Sequence, residues 1–271
     1  LAVLLVDARG GLVTQTRRHA FIVSLLGIRH VVLAVNKIDL VDFSAEVFDR
    51  IRGEFESFAA DMGFETIVAV PMSARYGDNV TRRSERTPWY AGPSLLEHLE
   101  TVDVEERAVA EPFRMSVQWV NRPNLDFRGF SGTIASGRVK PGDHVVVAKS
   151  GKIGTVRRIV TFDGDLPEAE AGEAVTLVLE EEIDISRGDL LAAVTARPEV
   201  ADRFAAHLVW MAEEPMLPGR SYLLKCGSRT VAASVTEIRH EIAVNSFEHL
   251  AAKELKLNQV ARLDVALAEP I

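Results

Sequence analysis

The chain has 271 residues, a net charge of -8, 47% hydrophobic residues and one cysteine. That length can bury the cores of two or three domains, and the acidic balance argues against a broad basic face for nucleic acid. The lone Cys226 excludes an internal disulfide and a cysteine zinc cage, which fits a reducing compartment and an expected cytoplasmic location. No apolar run approaches the ~20 residues needed to span a bilayer.

The first stretch, LAVLLVD at 1–7, is a short apolar run rich in branched residues. Leu1 opens inside this strand-like run and lacks the charged flank of a secretory signal, so the sequence reads as a fragment whose front portion lies elsewhere. VVLAVN at 31–36 and TIVAVP at 66–71 repeat the pattern. Continuous apolarity means strands covered on both faces, hence parallel strands with helices between them. QTRRHAFIVSLLG after a cap-like Thr14, and AEVFDRIRGEFESFAADMG after a cap-like Ser44, supply those helices. A third begins at Ser94, whose spacing to Glu97 is that of a capping box. Residues 1–105 therefore read as the later half of a doubly wound α/β domain. From Pro112 the texture changes to short strands separated by glycine turns at 136–137, 141–143 and 163–165, predicting a small β-barrel over 112–196. ARPEV at 196–200 reads as a linker, and FAAHLVWM, SYLLKCG and TVAASVTEI predict another β unit over 200–271, without an obvious final strand.

The chemistry concentrates in NKID, Asn36 to Asp39. It follows a buried strand, and open α/β sheets bind ligands at the carboxyl ends of their strands. A carboxylate at Asp39 can accept from the ring N–H and the exocyclic amine of guanine. Adenine offers neither donor there, so such a site rejects it by roughly 10⁴-fold. Lys37 can lay its methylene stem over the base, and the Asn36 amide can brace neighbouring loops. TIVAVP runs into Ser73 and Ala74, where small residues let backbone N–H groups approach a base oxygen.

Other motifs carry less. No G-x-x-x-x-G-K-[ST] occurs, and Gly151-Lys152 is followed by Ile153 in a barrel turn, so no phosphate cradle or magnesium-binding hydroxyl is found here. Gly129-Phe130-Ser131-Gly132 lacks the final glycine of a nucleophile elbow, with Thr133 in its place. The seven histidines show no metal-binding spacing, and His249 reads as a packed or surface residue. Arg75, Arg82, Arg83 and Arg86 form a locally basic loop.

Six stretches carry a family resemblance: VDARGGLVTQTRRH, VNKIDLVDF, RTPWYAGPSLLEHLE, VNRPNLDFRGFSGTIASGRVKPGD, LVWMAEEPMLPGRSYLLK and FEHLAAKELKLNQVARLDVAL. Together they resemble the translation-factor class of GTPases, and within it the large subunit of bacterial ATP sulfurylase (sulfate adenylyltransferase). The resemblance implies a partial P-loop-type GTPase domain, with a parallel sheet and helices on both faces, followed by two small β-barrels. It also implies a heterodimer whose small subunit transfers the adenylyl group of ATP to sulfate while the large subunit hydrolyses GTP to drive that step. By the same resemblance Asn36, Lys37 and Asp39 read guanine and Ser73 with Ala74 completes the pocket. The phosphate loop, the catalytic residues and the Mg2+ ligands are expected upstream of Leu1, and some family members carry a phosphosulfate kinase domain after the region matched here. Two alternatives stand beside this reading: an elongation-factor-1A-type GTPase carrying aminoacyl-tRNA, and a non-hydrolysing module that retains the base pocket.

Overall fold

The computed structural model describes residues 1–103, 106–124 and 127–271. The expected domain end near 105, and Leu125 and Asp126 of the RPNLDFRGFSG stretch, lie outside the described residues. The chain divides into two compact units: 1–104 with 207–214 and 240–261, and 105–206 with 215–239 and 262–271.

In the first unit β1 (Ala2–Asp7), β2 (His30–Asn36) and β3 (Thr66–Pro71) form a parallel sheet in that order. Their register pairs Asp7 with Asn36 and Val35 with Pro71, which aligns the carboxyl ends of all three strands along one edge. Five consecutive residues of β2, Val31 to Val35, are fully buried, so this strand is covered on both faces as its unbroken apolarity predicts. The helices α1 (Thr14–Leu25) and α2 (Ala45–Ala59) are the crossovers. Two right-handed crossovers in the same direction put both helices on one face of the sheet. The Arg17 guanidinium of α1, 4.8 Å from the Phe58 ring centroid of α2, shows them side by side.

The helix ends follow the sequence in two cases and depart from it in one. Ser44 caps α2 by accepting from the Val47 amide at 3.3 Å. At α3 (Leu95–Thr101) Ser94 accepts from the Glu97 amide, and Glu97 accepts from the Ser94 amide, completing the capping box. Thr14, by contrast, is the first helical residue of α1; Val13 holds the cap position without a side-chain bond, and the Thr14 hydroxyl instead accepts from Asn245 Nδ2 at 3.3 Å. In α2, Phe48, Ile51, Phe55 and Ala59 recur at helical spacing and are all buried. Each large side chain in that stripe contributes about 1.5–3 kcal/mol.

In the second unit the strands β4 (Arg114–Ser116), β5 (Gly129–Ser136), β6 (His144–Val147), β7 (Ile153–Thr161), β8 (Ala174–Leu179) and β9 (Leu190–Ala193) close on themselves. The ring runs β7, β8, β5, β4, β9, β6 and back to β7. Phe130, Ile134, Ile159, Leu177 and Leu191 fill it. The Gly-Phe-Ser-Gly run sits inside β5, where a Cβ on Gly132 would meet the Ser116 carbonyl, so this glycine serves close strand packing. A last sheet runs in the order Arg203–Val209, Val260–Leu267, Arg229–Ile242, Ser221–Cys226. Its interior strand Val260–Leu267 is the final strand that the sequence did not make obvious.

Candidate functional site

The site lies at the carboxyl edge of the three parallel strands. β2 ends at Asn36, whose Oδ1 accepts from two amides, Lys37 N at 2.8 Å and Ala74 N at 3.0 Å. One side chain thus ties the segment after β2 to the segment after β3. Backbone bonds complete the seam: the Met72 amide donates to Val35 O at 2.8 Å and the Ile38 amide to Met72 O at 3.2 Å. The structure therefore brings Asn36, Lys37 and Ala74 together and sets Ser73 and Asp39 one residue away on either side of the Ile38 to Met72 bond.

After Asn36 the chain makes a 3-10 turn over Ile38–Val41, entered through Lys37 in the left-handed region at φ 62°. Asp42 and Phe43 are also left-handed, at φ 53° and 54°. Such conformations cost of order 1–3 kcal/mol each for residues other than glycine, so the surrounding contacts must hold them. They do: Trp89 Nε1 donates to Phe43 O at 3.0 Å, and the Trp89 ring packs on Phe48 with centroids 5.4 Å apart. Asp39 sits half-buried in this turn, and among the described residues nothing hydrogen-bonds its carboxylate. A half-buried acceptor pair held on a strained, braced turn is what a bidentate partner needs.

Ser73 is fully buried, and its Oγ has no partner among the described residues. Its backbone is fixed by the segment that follows. The Ser73 amide donates to Asp78 O, and Ser73 O accepts from the Gly77 amide at 2.8 Å. Asn79, buried and left-handed at φ 54°, donates through Nδ2 to Pro71 O at 2.6 Å and to Thr87 Oγ1 at 2.9 Å, while its Oδ1 accepts from the Ser84 amide at 2.7 Å. Tyr90 closes the segment onto the sheet through its hydroxyl, whose single proton is shared between Ala69 O at 3.1 Å and Pro93 O at 3.0 Å. Burial pushes its phenol up to about 12.

The basic loop is mostly committed to its own structure. Arg83 donates to Tyr90 O at 2.6 Å, Arg75 covers the Tyr76 ring, and Arg86 lies over both Phe43 and Tyr76 with Nη1 3.5 Å from Asp78 Oδ2. His249 is exposed and stacks on His240 with ring centroids 3.7 Å apart. Among the described residues no group of three or more His, Cys, Asp or Glu could hold a metal ion, and no helix is long and apolar enough to cross a membrane.

Sequence reasoning passed over Asp7 and Arg9. Lys37 Nζ donates to Asp7 Oδ2 at 2.8 Å, and Arg9 binds both Asp7 oxygens, through N and Nε at 3.0 Å and Nη2 at 2.7 Å. The available signal was positional: Asp7 ends the apolar run of β1 as Asn36 ends that of β2.

A family model described as the elongation factor Tu GTP binding domain matches residues 1–176, well over half of the chain. The chain belongs to that family. A second model of this GTPase class, GTP-eEF1A C-terminal domain-like, matches residues 203–271. The bifunctional enzyme NodQ of Rhizobium sp. (strain N33) is 59% identical over 271 residues, covering 100% of this chain and 42% of its own length. Sulfate adenylyltransferase subunit 1 of Aeromonas salmonicida (strain A449) is 51% identical, over 100% of this chain and 58% of its own length. The bifunctional enzyme CysN/CysC of Xylella fastidiosa (strain Temecula1) is 51% identical over 270 residues and 43% of its own length. The chain thus spans about half the length of the curated relatives it matches. These relatives bear out the resemblance to the large subunit of ATP sulfurylase. Two solved structures share the fold: sup35 complexed with GDP, at TM-score 0.57, 23% identity and 95% of this chain against 65% of that one, and translation elongation factor SelB of Methanococcus maripaludis, at TM-score 0.52, 21% identity and 99% against 57%.

Proposed function

We propose that this chain carries the base-reading half of a GTP site in a GTPase subunit of ATP sulfurylase, and that GTP hydrolysis there drives adenosine 5′-phosphosulfate synthesis on a small adenylyl-transferring partner subunit in the cytoplasm. One observation carries the base reading. The Asn36 side chain locks the segments after β2 and β3 together at 2.8 and 3.0 Å while the Asp39 carboxylate beside them stays unbonded among the described residues. The names of relatives 51% identical to this chain support the process.

The residues present fit guanine. Asp39 accepts from the ring N–H and exocyclic amine, the Lys37 stem covers the base, Asn36 holds the frame, and Ser73 with Ala74 completes the pocket through the Ser73 hydroxyl, because the two backbone amides already donate to Asp78 O and Asn36 Oδ1. The buried Ser73 Oγ without a described partner supports that last assignment. GTP supplies the free energy of phosphoryl transfer when bound; these residues orient it and reject adenine. Residues 1–271 contain no phosphate-loop motif, so we assign phosphate handling, catalysis and Mg2+ to segments outside them. The domain plan is 1–105 for base recognition, 112–196 for a first barrel and 200–271 for a second.

The match of 203–271 to the eEF1A-type C-terminal model favours a second reading, a translation GTPase that carries aminoacyl-tRNA. Asp39→Asn tests the base assignment. An amide can donate to the extra carbonyl of xanthine, so the variant should bind XDP better than GDP in a competition assay; unchanged GDP preference sinks the assignment. Copurification of the intact protein with an adenylyl-transferring subunit, and GTP-stimulated adenosine phosphosulfate synthesis by the pair, tests the process.

A further inference from the structure

We infer that Asp7 is a positioning residue of the base-reading site: clamped by Arg9, it holds the Lys37 ammonium at the end of β1 so that the Lys37 stem is extended before the base arrives. The inference rests on the base-reading proposal above and adds a residue that the NKID motif does not contain.

Three features of the geometry carry it. Asp7 is the last residue of β1 and lies in register with Asn36, the residue before Lys37. Lys37 leaves β2 in a left-handed conformation, and its ammonium reaches back across the strand pair to Asp7 Oδ2 at 2.8 Å. Asp7 itself cannot turn away, because Arg9 occupies Oδ1 through two donors and Oδ2 through a third. The side-chain bonds from Arg9 and then Lys37 also hold the Asp7 carboxyl far below the usual carboxylate range.

The physical gain is preorganisation. A free lysine on a surface samples many rotamers, and immobilising it on binding costs part of the affinity. A stem already stretched between its own left-handed backbone and a fixed carboxylate has lost that freedom before the nucleotide arrives. Because the pair is half-exposed, with side-chain exposures of 47% for Lys37 and 32% for Asp7, the effect is modest. It appears in the lifetime of the bound nucleotide rather than in the choice of base, which belongs to Asp39.

The experiment is a coupling cycle on the intact protein carrying residues 1–271, reading dissociation of fluorescent GDP and, separately, the GDP-to-ADP preference. Asp7→Asn should speed GDP dissociation about three- to fivefold, the scale of a half-exposed ion pair, with the GDP-to-ADP preference kept. In a Lys37→Met background, which retains the stem and removes the ammonium, Asp7→Asn should add nothing. Arg9→Gln should move dissociation in the same direction by less. An equal Asp7→Asn effect in both backgrounds would mean that Asp7 only supports local structure, and overturns the inference, as does no effect in either. If the unsubstituted protein does not prefer GDP over ADP, the base-reading proposal fails and this inference with it. If it does, and the cycle shows no coupling, only this inference fails. Unfolding midpoints of all variants separate lost fold from lost positioning.

Discussion

Asn36 shows how much one side chain can be asked to do at this site. Its Oδ1 accepts the amides of Lys37 and Ala74, and among the described residues it is the acceptor that both amides share. Asn36→Ala leaves both donors to water and frees the segment after β3 from the segment after β2. We predict a loss of tenfold or more in GDP affinity, or about 1.4 kcal/mol, against only about 1 kcal/mol of folding stability. Asn36→Asp keeps the acceptor and should recover most of the binding. Isothermal titration beside chemical unfolding checks both, and an Asn36→Ala protein that binds GDP normally would refute the bracing role. This residue was legible in the sequence because the fixed motif names it. Asp7 and Asn79 were not, since nothing in VDAR or GDN marks a partner 30 residues away or an amide that will be buried among Pro71, Ser84 and Thr87.

At the scale of elements, the segment from Ser73 to α3 is a strap fastened at both ends, and Tyr90 is its inner fastening. The hydroxyl shares its one proton between Ala69 O of β3 and Pro93 O, while the ring meets Phe48 edge-on at 5.9 Å. Burial raises the phenol from its ordinary 10.0 to about 12, because a phenolate would lose its solvation there. The folded state therefore binds this proton more tightly than the unfolded chain. Stability from Tyr90 is fully present below pH 10 and is lost as pH rises toward about 12. We predict that unfolding midpoints of the intact protein decline over that window and that Tyr90→Phe, less stable at neutral pH, flattens this part of the decline. An unchanged slope in Tyr90→Phe would show that Tyr90 does not titrate with unfolding. Ser94→Ala, which breaks the capping box, should cost about 1 kcal/mol at any of these pH values. The parallel strands and this capping box were legible because unbroken apolarity and an S-x-x-E spacing are local signals. The start of α1 was not, because Thr14 offers the right side chain one residue too late. Nor was Val260–Leu267, where Arg262 and Asp264 interrupt the apolar residues of a strand that is interior to its sheet.

At the scale of the whole chain, charge separates the two readings of what a GTP switch would drive here. Affinity for tRNA comes largely from lysine and arginine displacing counterions from phosphates, and it falls steeply with salt in proportion to the number of such contacts. This chain has 31 Lys and Arg against 39 Asp and Glu. Of the four arginines in its basic loop, Arg83 is tied to a backbone carbonyl, Arg75 covers a ring, and Arg86 does so beside Asp78. Elsewhere, Arg158 and Arg239 are paired with Asp165 and Asp264. Those arginines are held by partners within the chain rather than left free to follow a phosphate backbone. We predict that the intact protein, loaded with a GTP analogue, shows no saturable aminoacyl-tRNA binding at ~150 mM salt, and that any association at ~20 mM salt has a weak dependence on log salt, corresponding to fewer than about two phosphate contacts. Titration by fluorescence anisotropy across that range measures the slope. A steep slope with tight binding at the higher salt would move the assignment to the translation reading, whereas a flat one leaves a protein partner as what the switch acts on.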